Sequence, residues 1–409
     1  MKKIVLSALA ALTIGTVAAS AGDVKFYTDD NGQVFTTAGE GRTEIKSNST
    51  SVSAMASKLK FSGLTYLGYT YQDYKSGETS IAGTNYMSDE SNFEIRRAYF
   101  QLKAYLLDDP KSYYRVTFDM HQNAESDMVV RAKYAYLFLN EVLPFTGVEM
   151  GLVHRPWHDY EEHNAWYYRN ISKVFIEADN GGHLSNSADF GFNFKTKTKY
   201  FDSEVGVFNG EGYHSDFNDD QSTEKAGTGM SLEWRATAHL LGVNGKDKQT
   251  TKTYFDASFF GQYNGAHKAN ASAASGYDDL VFMGLHTVYN QPEFLISAQY
   301  ISSQDTAENS TYVSSEAGSG YSVNAEYRLG HEKEYRAIAR YDSWTKELLV
   351  SGDERENMSY LIGAAWEQNK NVQWLANVIV TENEDGNTRS KAEEKLNGVA
   401  YMLTAEVRF

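Results

Sequence analysis

Tyr401-Met402-Leu403-Thr404-Ala405-Glu406-Val407-Arg408-Phe409 alternates apolar or aromatic side chains with small or polar ones. In an extended chain successive side chains point to opposite faces. This stretch therefore reads as a strand with a greasy face (Tyr401, Leu403, Ala405, Val407, Phe409) and a wet face (Thr404, Glu406, Arg408). Alone, it fits a soluble sheet as well as any other. Repetition of the pattern decides the fold.

Ala98, Phe100, Leu102, Ala104 and Leu106 interleave with Arg97, Tyr99, Gln101, Lys103 and Tyr105, and Tyr114, Val116, Phe118 and Met120 with Arg115, Thr117 and Asp119. Val130 to Phe138 runs against Arg131 and Lys133; Phe190, Phe192 and Phe194 run against Asp189, Asn193 and Lys195. Leu232, Trp234 and Ala236 oppose Glu233, Arg235 and Thr237, and Tyr335, Ala337, Ala339 and Tyr341 oppose Arg336, Arg340 and Asp342. Each set presents one face to lipid and one to water. Counting from residue 58 gives about sixteen such segments, with fourteen and eighteen as alternatives, in line with the even strand number of single-chain bacterial barrels. Short turns, such as Asn290-Gln291-Pro292-Glu293 and Gly330-His331-Glu332-Lys333, alternate with longer polar connections, such as 209–228 and 302–319. That sorting puts the two kinds at opposite ends of a barrel.

Composition agrees with an all-β, closed antiparallel transmembrane β-barrel. The chain has 29 Tyr, 21 Phe and 6 Trp but only 4 Pro and no Cys, so neither disulfides nor thiolate-bound metal hold it together. Its mean hydropathy is negative, as expected when only alternate residues meet lipid. Met1-Lys2-Lys3, the mainly apolar run to Ala19 and the small-x-small Ala19-Ser20-Ala21 read as a signal peptide over 1–21. Its removal takes the formal charge from −16 to about −18, which disfavours nucleic acid as a partner. Residues 22–57 read as a small hairpin around Asn31-Gly32 and a Ser/Thr-rich linker placed in the periplasm, and 58–409 as the barrel.

The terminal Phe with apolar residues at every second position before it resembles the sorting signal of bacterial outer-membrane barrels. The longest connection, His154 to Asn186, is the third long one and carries Trp157, Tyr160, Trp166, Tyr167 and Tyr168, rings that an ordinary exposed loop would not hold. In this it resembles the third loop of trimeric Gram-negative porins, which folds into the barrel and narrows it. Phe93-Glu94-Ile95-Arg96-Arg97-Ala98-Tyr99-Phe100 resembles the phosphate-selective porin family. The resemblance implies an outer-membrane homotrimer in contact with lipid, both termini periplasmic, passing ions and small hydrophilic solutes by passive diffusion.

A constriction of this kind sets acids against bases so that a transverse field orients passing solutes. The expected bases are Arg97, Arg115, Arg131 and Lys133, with Arg336 and Arg340 beside them; the expected acids are Asp159, Glu161, Glu162, Glu177 and Asp179. Because the loop mixes Arg155, Arg169 and Lys173 with its acids, a general pore is favoured over a phosphate- or anion-selective one. A loop-mediated adhesin or receptor is a further alternative. His154, His158 and His163 lie near Glu161 and Glu162, but the spacing matches no familiar zinc pattern. No catalytic residue, cofactor or metal is expected.

Overall fold

The computed structural model describes residues 27–29, 34–35, 37–44, 57–74, 90–122, 127–178, 180–210, 212–213, 230–244, 249–269, 277–305, 317–347, 354–383 and 397–409. The expected signal peptide, the Asn31-Gly32 turn, the Ser47–Ser53 linker, Asp179 and most of the longer polar connections lie outside these residues. Contacts divide the chain into two units, Met1–Leu59 and Lys60–Phe409. In the first, β1 (Tyr27–Thr28) pairs antiparallel with β2 (Val34–Phe35) and with β3 (Thr43–Glu44). Arg42 lays its guanidinium 3.5 Å from the Phe35 ring centre.

The barrel follows as sixteen antiparallel strands. They are β4 (Leu59–Tyr74), β5 (Glu90–Ala104), β6 (Tyr113–Gln122), β7 (Met128–Leu143), β8 (Thr146–His154), β9 (Ala188–Lys197), β10 (Phe201–Phe208) and β11 (Ser231–Leu241). Then come β12 (Tyr254–Ala269), β13 (Tyr277–Asn290), β14 (Phe294–Asp305), β15 (Gly318–Leu329), β16 (Tyr335–Glu347), β17 (Glu354–Asn369), β18 (Val372–Asn383) and β19 (Gly398–Arg408). Each strand pairs with its sequence neighbours, and β19 closes the ring on β4 in the register Leu403↔Tyr69. Closure removes the two unpaired edges that an open sheet would present to lipid. At the seam Phe409 and Gly63 exchange backbone hydrogen bonds, and a Cβ at residue 63 would stand 2.1 Å from the Phe409 ring. Only glycine lets that ring lie against the first strand.

The pattern of exposure is the reverse of a water-soluble protein. Phe190, Phe192 and Phe194 are exposed while the interleaved Asp189 and Asn193 of opposite parity are fully buried, and the same holds for Leu232 against Glu233 and Arg235. Apolar side chains face outward to lipid and polar ones inward, as a transmembrane barrel requires. The connections sort broadly into a longer and a shorter rim, but 123–127, 270–276 and 348–353 on the longer rim are shorter than 105–112 on the other, and 242–253 on the shorter rim is itself long.

Regular alternation is interrupted at several places, and two of the interruptions turn bases inward. Phe93 and Ile95 are exposed, but further along the outward residue is Phe100, so the parity changes and the consecutive Arg96 and Arg97 both face the lumen. Between β6 and β7 the register slips from Thr117↔Tyr134 to Phe118↔Ala132, leaving Lys133 as the extra residue of a bulge. Lys133 and Tyr134 are then both buried in the lumen. Alternation through Val130 to Phe138 is therefore interrupted in its middle. A bulge re-aims side chains this way, and an arginine left facing the lipid midplane would cost about 2–4 kcal/mol.

Candidate functional site

The third connection on the longer rim, 155–187, lies inside the barrel. It opens with α1 (Pro156–Asn164), begun by Pro156 in the first turn, where a missing N–H costs no helical bond. Arg155 precedes it in extended conformation (φ −85°, ψ 141°) and makes no side-chain cap. Its guanidinium instead reaches Glu233 on β11, with Nε and one terminal nitrogen 2.8 and 2.6 Å from Glu233 Oε1. This buried pair fastens the start of the loop to the wall.

An apolar seat holds the rest. Trp157 stacks on Phe260 of β12 with ring centres 3.7 Å apart and planes 3° apart, and its edge meets His286 of β13. Trp166, Ile171, Val174, Phe175 and Ile176 pack against a strip of inward apolar residues, among them Leu280, Ile301, Ile338 and Trp344. Polar ties surround the seat. Tyr160 Oη donates to Asp256 at 2.7 Å, Tyr168 donates to Glu326, Arg340 donates to the Lys173 carbonyl at 2.8 Å, and Asn180 reaches Thr381 at 3.2 Å. The rings of the loop are thus buried against β12–β19, which is why a loop can carry them.

Facing this, the wall of β5–β7 is basic and aromatic. Arg97 and Arg131 share one carboxylate oxygen of the buried Asp119, at 3.0 and 3.2 Å. Arg115 contacts Thr117, the Tyr136 hydroxyl and His154 Nε2, and Lys133, 3% exposed, reaches the Tyr99 hydroxyl at 3.5 Å and lies over the Tyr99 and Tyr134 rings. Among the described residues neither Arg115 nor Lys133 forms an ion pair with a carboxylate. The cationic charge of both is stabilised by ring faces and hydroxyls.

Between the loop and this wall lies a cavity of about 350 Å³. Arg96 and Arg97 of β5, Tyr66 of β4, Arg169 and Lys173 of the loop, and Asp342 of β16 supply most of its polar lining. Of the side chains expected from sequence at a constriction, Arg97 lines this cavity. Arg115, Arg131 and Lys133 stand beside it on the same wall. Arg340 is bound to Asp342 at 2.8 Å and lies over the Trp166 ring, while Arg336 approaches Glu326 and Glu367 at 4.0 and 3.8 Å.

The acids of the loop are mostly neutralised by bases. Arg169 holds Glu162 and Glu177 together, and Lys195 holds Asp159 at 3.0 Å. Burial would raise the Glu177 carboxyl, but the Arg169 charge and hydrogen bonds hold it well below the usual carboxylate range. Asp159 is likewise kept low against its burial by Lys195, His154 and His163. Glu161 is the exception: burial pushes it up to about 7, opposed only in part by Arg340 and the Gln299 amide. Burial also takes His158 down to about 4. His154 at the end of β8 meets Glu149 and Arg115, His158 meets the Ser185 carbonyl, and His163 meets Asp159, which also lies 3.8 Å from His154. Among the described residues no group of three or more ligating side chains is placed to hold a metal ion.

Sequence reasoning passed over Arg96, Glu94, Arg169, Lys173, Tyr66 and Asp342 as cavity residues. The consecutive Arg96-Arg97 was a readable signal, since two adjacent arginines in a membrane strand cannot both obey alternation without one facing lipid.

Solved outer-membrane barrels share the architecture. DcaP, an outer membrane channel of Acinetobacter baumannii, superposes with a TM-score of 0.56 at 12% identity, over 86% of this chain and 97% of that one. OprB of Pseudomonas putida gives 0.56 at 11% identity over 88% and 96%. A loop L8 deletion form of OmpT, an outer membrane protein of Vibrio cholerae, gives 0.56 at 11% over 86% and 99%. At such identities the likeness is one of fold. No protein-family model and no curated protein sequence matches the chain.

Proposed function

We propose that this chain is an outer-membrane pore through which ions and small hydrophilic solutes diffuse passively. The observation that carries the reading is a polar lumen, narrowed by an inserted and fastened loop to a charged cavity between that loop and β5. A barrel of this strand number leaves aqueous space unless it is filled, and here the loop fills one side. The neighbouring solved barrels support an outer-membrane compartment, and within it the reading puts the short-connection rim and both termini on the periplasmic side. Assembly as a trimer rests on the resemblance of the third loop alone. Single-channel recording tests the pore: purified protein in planar bilayers gives stepwise conductance, and an inserted but silent barrel would sink the reading.

A second observation bears on selectivity. Arg97, Arg115, Arg131 and Lys133 face the lumen with Asp119 as the acid between them, while the loop acids Glu162 and Glu177 are tied to Arg169. On this wall Arg115 and Lys133 have no carboxylate partner among the described residues, so the charge they add is positive. This favours a pore with a modest preference for anions. A salt-gradient reversal potential of the cation-selective sign would reject that preference while leaving the pore itself intact.

A further inference from the structure

His154 closes β8 where the loop begins and is 6% exposed. Its Nε2 lies 2.9 Å from an Arg115 terminal nitrogen and its Nδ1 3.2 Å from Glu149 Oε2. A guanidinium can only donate, so Nε2 must be the bare acceptor nitrogen and Nδ1–H the donor to Glu149. The hydrogen bonds thus select one neutral tautomer. A proton added to Nε2 would set N–H against N–H at that contact and turn attraction into repulsion. A new acceptor is close by, since Asp159 Oδ1 stands 3.8 Å from the same nitrogen.

We propose that His154 is a proton-operated determinant of ion selectivity: protonation transfers its Nε2 from Arg115 to Asp159 and releases the Arg115 guanidinium toward the lumen. The inference rests on the pore reading above. Both consequences add positive character to the wall, one from the imidazolium and one from an arginine no longer engaged by the ring. Anion preference therefore increases as the pH falls.

The groups packed around the ring are Glu149 from its own strand, Arg115 from β6, Tyr134 and Tyr136 from β7 and Asp159 from α1. Lys195 of β9 binds Glu149, Asp159 and the Glu204 of β10, at 3.4, 3.0 and 3.4 Å. The Tyr134 ring lies 4.1 Å from the imidazole, leaving the ring little room to turn away from Arg115. Protonation of Glu149 or Asp159 would also add positive character in acid, so the control must retain both.

His154→Gln does so, replacing the ring by a neutral amide that can still bond both neighbours. Reversal potentials in a salt gradient at about pH 7.5 and about pH 4.5 should shift toward the anion on acidification in the parent. In His154→Gln most of that shift is lost, with conductance at the higher pH retained. An equal shift in both proteins overturns the proposal, because the carboxylates then account for it. Nitrogen NMR of the parent in detergent gives a readout independent of conductance. It should show the Nδ1–H tautomer at neutral pH, and an Nε2–H or already cationic ring overturns the contact on which the proposal stands. Silent bilayers at both pH values would overturn the pore reading and the selectivity role together, whereas the tautomer judges the His154–Arg115 contact by itself.

Discussion

The two sides of the lumen are built by one rule and used in two ways. The β12–β19 side turns Phe260, Leu280, Ile301, Ile338 and Trp344 inward among its polar residues and so makes a seat for the loop. The β5–β7 side turns Arg97, Arg115, Arg131 and Lys133 inward and keeps the loop at a distance marked by the cavity. Apolar surface buried against the loop stabilises its position, whereas the bases of the other wall are held by Asp119, hydroxyls and ring faces. The seating wall pairs its charges, as in Arg340–Asp342, while Arg115 and Lys133 of the other wall have no carboxylate partner among the described residues.

The sharpest way to break this division is at the buried Arg155–Glu233 pair. Arg155→Met leaves Glu233 as a buried carboxylate without its partner, which costs about 3–5 kcal/mol. Thermal unfolding in detergent should move to lower temperature, and cleavage within 155–187 by added protease should quicken. An unchanged protease pattern would show that the apolar seat holds the loop unaided.

Trp157→Leu keeps an apolar side chain but loses the stacking on Phe260 and leaves a gap, at a cost of about 2 kcal/mol. The expected readout is noisier single-channel current, because the loop is held less firmly beside the cavity.

Glu161 sharpens the comparison through pH. Its carboxyl is raised from 4.5 to about 7 in the docked loop, so the docked state binds the proton more tightly. The stabilisation is complete below the ordinary value and is lost as pH climbs through about 7. Once corrected for the intrinsic pH dependence of amide exchange, the protection of the α1 amides should therefore fall between about pH 5 and about pH 8 in the parent, by an amount on the order of 1–2 kcal/mol. Glu161→Gln should remove that dependence, and a variant that kept it would locate the titration elsewhere.

The smallest stability change is expected at Lys133→Met. This removes a buried charge that has no carboxylate partner, so nothing is orphaned and stability should move by less than about 1 kcal/mol. The reversal potential should nevertheless shift toward the cation. Equal losses of stability for Lys133→Met and Arg155→Met would erase the distinction between the two walls.

Much of the barrel was readable from period two alone. Sixteen strands, their inward and outward faces, the sorting of most connections and the insertion of the third long loop all follow from alternation and from rings that need burial. Arg97, Arg115, Arg131 and Lys133 were placed inward by the same parity. The cavity lining was harder to read, because Arg96 enters it through a break in alternation, and Arg169 and Lys173 enter it from a segment with no period. Nothing local in the sequence distinguishes Glu177, clasped by Arg169, from Glu161, buried with one carboxylate oxygen left without a hydrogen bond.

The sequence by itself determined which side of each strand meets lipid, since that choice is made residue by residue through the cost of exposing charge to hydrocarbon or rings to water. Tertiary structure decided which charges act. The Arg155–Glu233 ion pair and the contact of His154 with Arg115 join residues far apart in sequence. Closure of the ring and docking of the loop bring them within hydrogen-bond reach, and a charge has effect over distances of ångströms that sequence spacing does not record.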